Sequence, residues 1–201
     1  MNSDFEQKKT TIKKIAIFAS GAGTNAENCI RYFEGNANIK VQLIVSNKKE
    51  AGVISIAEKN NIPHKIYEKK DWEDVEKIIQ ELNYFEIDLI LLAGYLALIP
   101  KELIHAFPHK IINIHPALLP KYGGKGMYGK NIHKTVLEQL EKETGITIHE
   151  VDEVYDNGKI IFQRSVEILP EDTIITIEHK VRKLEYYFLP RVVEKLLLSK
   201  K

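Results

Sequence analysis

Asn113 and His115 stand two residues apart in the apolar run KIINIHPALLP. Residues two apart on a strand face the same side. An amide and an imidazole therefore emerge together at the strand's end, where Pro116 turns the chain out of the sheet. The amide can donate a hydrogen bond to an oxygen that gains negative charge. The imidazole can take or give a proton near neutral pH. A lone histidine is most often structural, but a polar pair at the tip of an apolar strand is harder to assign to packing. Asp156, in the turn YDNG, offers a carboxylate, although aspartates in turns commonly bond only their own backbone. The third group is Gly21, Gly23, Thr24 and Asn25 in ASGAGTNA, between an apolar strand and a helix. Free backbone amides and the helix dipole converge at such a place and suit a phosphate.

Gly21 to Ala26 also fits the dinucleotide fingerprint G-x-G-x-x-G/A. That arrangement requires an acid at the end of the second strand for the ribose hydroxyls. The sequence there is Val45-Ser46-Asn47-Lys48-Lys49, without an acid. A compact monophosphate ester fits better than a pyrophosphate, and a tight glycine turn without a ligand stays open as an alternative.

The elements that must position these groups alternate in type. Strands are predicted over Lys14 to Ala19, Ile39 to Ser46, His64 to Tyr67, Ile87 to Ala93 and Lys110 to His115. Helices are predicted over Thr24 to Phe33, about Ala51 to Asn60, and from an Asp71 N-cap to about Leu82. This β-α-β series predicts a single-domain α/β fold with a mostly parallel twisted sheet and helices on both faces. Binding groups should collect beyond the carboxyl ends of the strands. After His115 the stretch HPALLPKYGGKGMYGKN reads as a long loop and a candidate lid, followed by a helix over about Ile132 to Lys142. GITIHEVDEV and GKIIFQRSVEI predict an antiparallel hairpin with Asn157-Gly158 as its turn. The last segment, Thr173 to Leu198, predicts a helix with Ile177, Val181, Leu184 and Phe188 as its apolar stripe and Pro190 as a kink or break.

Bulk properties exclude several classes. The 201 residues fit one domain, predicted over residues 14–201 behind a polar N-terminal extension over residues 1–13. A net charge of +1 does not suit a general nucleic-acid or membrane-surface binder. No apolar run approaches the roughly 18 residues of a spanning helix, and the N-terminus lacks the apolar centre of a signal peptide. The single cysteine, Cys29, lies at helical spacing with Ala26, Ile30 and Phe33 and reads as a core thiol. One cysteine and no export signal predict a cytoplasmic protein. His105, His109, His115, His133 and His149 show no ligand spacing, so no metal is expected.

ASGAGTN, LLAGYLALIP, NIHPALLPKY, GITIHEVDEVYDNGKII and LEYYFLP occur in this order. Together they resemble the phosphoribosylglycinamide formyltransferase family of folate-dependent enzymes, across roughly Lys14 to Leu198. The resemblance implies a Rossmann-like formyltransferase fold. It implies formyl transfer from 10-formyltetrahydrofolate, a cosubstrate, to the primary amine of glycinamide ribonucleotide in purine biosynthesis. It implies Asn113, His115 and Asp156 as the catalytic set. It places the substrate phosphate at Gly21, Gly23, Thr24 and Asn25, and Glu185 at the glycinamide end. It places the pteridine ring near Leu96, Ala97, Leu98, Val154 and Asp156. No metal, nucleic acid or membrane is implied, and a monomer or homodimer is expected. The chain departs from the family where Ala97 replaces a frequent arginine, where DNGK replaces DGGP, and in a longer loop after Tyr122.

Other functions remain to be separated. A formyltetrahydrofolate hydrolase or a methionyl-tRNA formyltransferase shares the core pattern, but the chain length and charge weigh against both. A dinucleotide-binding oxidoreductase lacks its acid. A phosphate-ester sensor leaves Asn113 and His115 without a role.

Overall fold

Strand β1 (Lys13–Phe18) sends Ile15 and Ile17 to one side and Ala16 and Phe18 to the other, all fully buried. Strand β4 (Leu89–Leu92) divides in the same way, Leu89 and Leu91 against Ile90 and Leu92. Strands apolar on both sides need cover on both faces. Helices α1 (Thr24–Phe33), α2 (Gly52–Lys59) and α6 (Ile174–Leu198) cover one face through Ala26, Val53 and Val181. Helices α3 (Val75–Tyr84) and α4 (Lys101–Ala106) cover the other through Ile78, Leu82 and Leu103. Helix α5 (Lys130–Glu138) packs Ile132 and Val136 on Ala117. The computed structural model describes residues 11–199. Residues 1–10 of the expected N-terminal extension lie outside the described residues.

The remaining strands are β2 (Ile39–Ser46), β3 (His64–Ile66), β5 (Ile111–His115), β6 (Glu143–Glu150) and β7 (Ile160–Glu167). The sheet runs β3-β2-β1-β4-β5-β6-β7. It is parallel from β3 to β5 and antiparallel across β5, β6 and β7. The chain moves outward from β1 to β3 and then returns to β4 on the other side of β1, so a crevice opens beyond the carboxyl ends of β1 and β4. There the Ser20 amide donates to the Gly94 carbonyl at 3.0 Å. The Leu96 amide donates to Ser20 Oγ at 2.8 Å. Among the described residues no helix is long and apolar enough to cross a membrane.

Two local expectations are corrected, and one helix is added. Helix α4 is absent from the sequence reading, because six residues are too few to display a period. Asp71 lies inside a 3₁₀ turn (Lys69–Asp74), where its carboxylate accepts the Glu68 amide at 2.7 Å. Asp74 caps α3 instead, accepting from the Lys77 amide. Asn157-Gly158 does not make a tight hairpin. The ladder closes at the Glu150 amide on the Lys159 carbonyl, 2.9 Å, and residues 151–159 bulge outward. The left-handed residue of that loop is Asp156, at φ 54°.

Pro190 neither breaks nor ends α6. A proline removes the donor for the carbonyl four residues earlier, here Tyr186. The Asn28 side chain on α1 supplies it, Nδ2 donating to the Tyr186 carbonyl at 2.9 Å.

Gly158 is needed for close approach, since a Cβ there would lie 1.9 Å from the Glu150 carbonyl oxygen. A Cβ on Gly21 would meet nothing within 4 Å. Gly158→Ala is therefore expected to lose about 2–3 kcal/mol of stability and Gly21→Ala less than about 0.5 kcal/mol in urea unfolding. Equal losses would contradict this account of the hairpin.

Candidate active site

Strand β5 delivers Asn113 and His115 to the sheet's carboxyl edge, and the loop after β6 brings Asp156 to meet them. Asn113 Nδ2 lies 3.4 Å from Asp156 Oδ1, and His115 Nδ1 lies 3.5 Å from the same oxygen. All three sequence-predicted groups share one centre. His115 is 4% exposed. The antiparallel register places His149 opposite Asn113 and Thr147 opposite His115. His149 Nε2 lies 3.1 Å from Asn113 Nδ2 and 3.7 Å from Asp156 Oδ1.

Acceptor chemistry fixes the protons. His149 Nδ1 faces the Glu150 carbonyl at 2.7 Å, which can only accept, so that nitrogen carries a hydrogen. In the neutral ring Nε2 is then bare and accepts from Asn113. Both hydrogens of the Asn113 amide are thus engaged, one firmly by His149 and one loosely by Asp156 at 3.4 Å. The loose one can turn toward an incoming oxygen at little cost.

His115 Nε2 donates to the Tyr122 carbonyl at 2.7 Å, which leaves Nδ1 toward the Asp156 carboxylate. Burial lowers the His115 pKa, while Asp156 and the Tyr122 carbonyl work to raise it and His149 adds to the lowering. Burial works to raise the Asp156 pKa, but His149, the His115 charge and the Gly124 amide outweigh it and hold the carboxyl below its ordinary value. The Gly124 amide donates to Asp156 Oδ2 at 2.8 Å. Asp156 is therefore an ionised carboxylate at neutral pH, beside an imidazole poised between two acceptors.

These groups stand at the wall between two hollows. The larger, 460 Å³, runs from Asn113, His115 and Asp156 to Gly21, Gly23, Thr24, Asn25 and Glu185. Its size is that of a small-molecule site. Gly23 begins α1 at φ 76°, and a Cβ there would lie 2.7 Å from Val53 Cβ. Among the described residues no side chain caps the first turn of α1, and Gly23, Thr24 and Asn25 line the cleft there, where free main-chain amides can receive an anion. Asn25 is 9% exposed and its Oδ1 has no partner. Burial pushes the Glu185 carboxyl up to about 7; Asn25 and Arg182 counter it and Glu178 adds to it. Glu185 can thus donate or accept near neutrality.

The smaller hollow, 70 Å³, is an apolar recess lined by Ala97, Leu98, Val151 and Val154, and also by Asn113, His149 and Asp156. Leu96 lies in the larger cleft instead. Leu96, Leu98 and Val154 are 46%, 51% and 61% exposed. Apolar side chains left open at a cleft rim suit cover by a flat ring. Ala97, where an arginine was expected, supplies no charge.

Sequence reasoning missed four supporting groups. His149 received no role, although its alternation with Thr147 on an apolar strand marked one polar face. Thr147 Oγ1 donates to the Ala117 carbonyl at 2.7 Å and accepts the Leu119 amide at 3.0 Å, which anchors the chain leaving His115. The Tyr122 carbonyl and the Gly124 amide are backbone groups and leave no residue-type signal.

Comparison with known proteins gives one consistent group. A family model described as formyl transferase matches residues 13–193. A Bacillus subtilis protein called phosphoribosylglycinamide formyltransferase is 42% identical over 191 residues, covering 92% of this chain and 95% of that protein. A chloroplastic protein of the same name from Arabidopsis thaliana is also 42% identical, over 90% of this chain. The chain spans 64% of that relative's length, under two thirds. The crystal structure of phosphoribosylglycinamide formyltransferase from Bacillus halodurans superposes with a TM-score of 0.83 at 36% identity, covering 94% of this chain and 97% of the other.

The raised Glu185 pKa has a consequence for stability. The folded chain holds a proton there that the unfolded chain releases, so stability from this group is full below the ordinary glutamate pKa, about 4.3. It is lost as pH rises toward 7. Glu185→Gln is expected to raise the melting temperature more at pH 8 than at pH 5. A pH-independent effect would remove the buried-carboxyl assignment.

Proposed function

This chain belongs to the formyl transferase family, and from that membership and the site we propose that it transfers the formyl group of 10-formyltetrahydrofolate to the amine of glycinamide ribonucleotide. One observation carries the proposal: Asn113 and Asp156 line both the anion cleft and the apolar recess. A phosphate ester in the first and a pterin in the second would bring amine and formyl carbon together at these side chains.

The residues divide the work. The first-turn amides of α1, with Thr24 and Asn25, hold the phosphate. Leu98, Val154 and the neighbouring backbone cover the ring. As the amine attacks, the formyl oxygen gains charge, and the loosely held hydrogen of Asn113 turns to it. His115, once protonated, satisfies the Tyr122 carbonyl and Asp156 together and places a positive charge beside that oxygen. Asp156 orients the ring and relays the proton that the amine loses to the folate nitrogen, which leaves as its bond to the formyl carbon breaks and the new amide bond remains. The amine is itself the nucleophile, so no covalent enzyme intermediate is required. The loop after Pro116 excludes water and limits hydrolysis of the donor.

The folate absorbance change, followed with and without glycinamide ribonucleotide, tests the proposal. Turnover is expected only when the amine is present. Asn113→Ala, His115→Ala and Asp156→Asn are each expected to lower kcat/KM by about 100-fold or more while the chain stays folded. Asn is used at 156 because it tolerates the left-handed backbone there. Equal turnover without the amine would favour formate release, and parental activity in Asp156→Asn would remove that carboxylate from the set.

A further inference from the structure

Helices α1 and α6 meet along a polar seam. Asn25 lies beside Glu185, the Asn28 amide donates to the Tyr186 carbonyl at 2.9 Å, and Tyr32 Oη donates to Glu194 Oε2 at 2.8 Å. The three α1 residues recur at three- and four-residue spacing, which puts them on one face. Exposed helices commonly keep such polar contacts for solubility alone. The middle contact differs, because it serves the carbonyl that Pro190 leaves without a helical donor. A half-buried carbonyl without a partner destabilises its surroundings, and helices bend where their ladder is interrupted. Glu185 sits at this interruption, one residue before Tyr186.

We propose that Asn28 is a positioning residue for the anionic substrate, which by holding the Tyr186 carbonyl fixes Glu185 against Asn25 and the glycine turn. Asn28 does not line the cleft. Its effect passes through the place that α6 takes beside α1. Loss of Asn28 lets the Tyr186 carbonyl tilt away toward water, and Glu185 moves with it. The recess on the folate side is lined from β4, β5 and the loop over residues 151–159 and not by Asn28, whose side-chain amide is bonded to α6. The inference rests on the proposed function for the identity of its ligand.

Asn28→Ala, Pro190→Ala and the double variant test it, assayed with glycinamide ribonucleotide and the formyl folate. Asn28→Ala is expected to raise KM for the ribonucleotide about three- to tenfold, the size of one lost hydrogen bond. Its kcat and folate KM should stay within about twofold. In the double variant the backbone amide gained at position 190 donates to the Tyr186 carbonyl, so KM should return to that of Pro190→Ala. Calorimetric titration with the ribonucleotide alone should show the same order of Kd values. An unchanged KM in Asn28→Ala, a loss that Pro190→Ala does not rescue, or an equal loss of folate affinity overturns the proposal. A parent chain that binds the ribonucleotide without formylating it overturns the function, and the Kd series still decides the role of Asn28. A parent that does neither overturns both.

Discussion

A partly buried carboxylate must be surrounded by donors or positive charge, and Asp156 imposes that requirement on the whole carboxyl edge of the sheet. Asn113, His115 and His149 approach one of its oxygens at 3.4, 3.5 and 3.7 Å, and the Gly124 amide binds the other at 2.8 Å. These groups come from β5, β6 and the loop between β5 and α5. The antiparallel pairing of β5 with β6 sets His149 opposite Asn113, and the chain leaves His115 into the loop beside the cleft. The sheet changes direction at the place where its polar side chains are gathered.

Much of this was legible from residue types. The two-residue spacing of Asn113 and His115 placed both on one face of a strand, and the structure brings them to Asp156 as expected. The glycine turn, the parallel β series and the long loop after Pro116 followed from periodicity and turn chemistry. The misses share a cause. Tyr122 and Gly124 act through backbone atoms, whose direction no side chain encodes. His149 becomes meaningful only through a cross-strand register closed by the loop over residues 151–159, where Gly158 allows close approach to the Glu150 carbonyl and does not form a two-residue turn. Pro190 does not break α6, and the carbonyl it leaves without a helical donor takes one from Asn28, on a helix far away in sequence.

The two ends of the larger cleft are built differently. The end at Gly21 to Asn25 offers main-chain amides at the start of α1 and, at Glu185, a carboxyl whose charge is nearly balanced at neutrality. The end at Asn113, His115 and Asp156 consists of side chains held by other side chains. The open apolar rim beside them, at Leu96, Leu98 and Val154, contributes area without direction.

The loop between β5 and α5 holds more than cover. It contributes both the carbonyl that steadies the His115 ring and the amide that steadies the Asp156 anion. The ring's acceptor and the carboxylate's donor lie two residues apart, at Tyr122 and Gly124, so the alignment of one side chain is coupled to that of the other through a single short stretch of main chain. A change in that stretch is felt by both partners together.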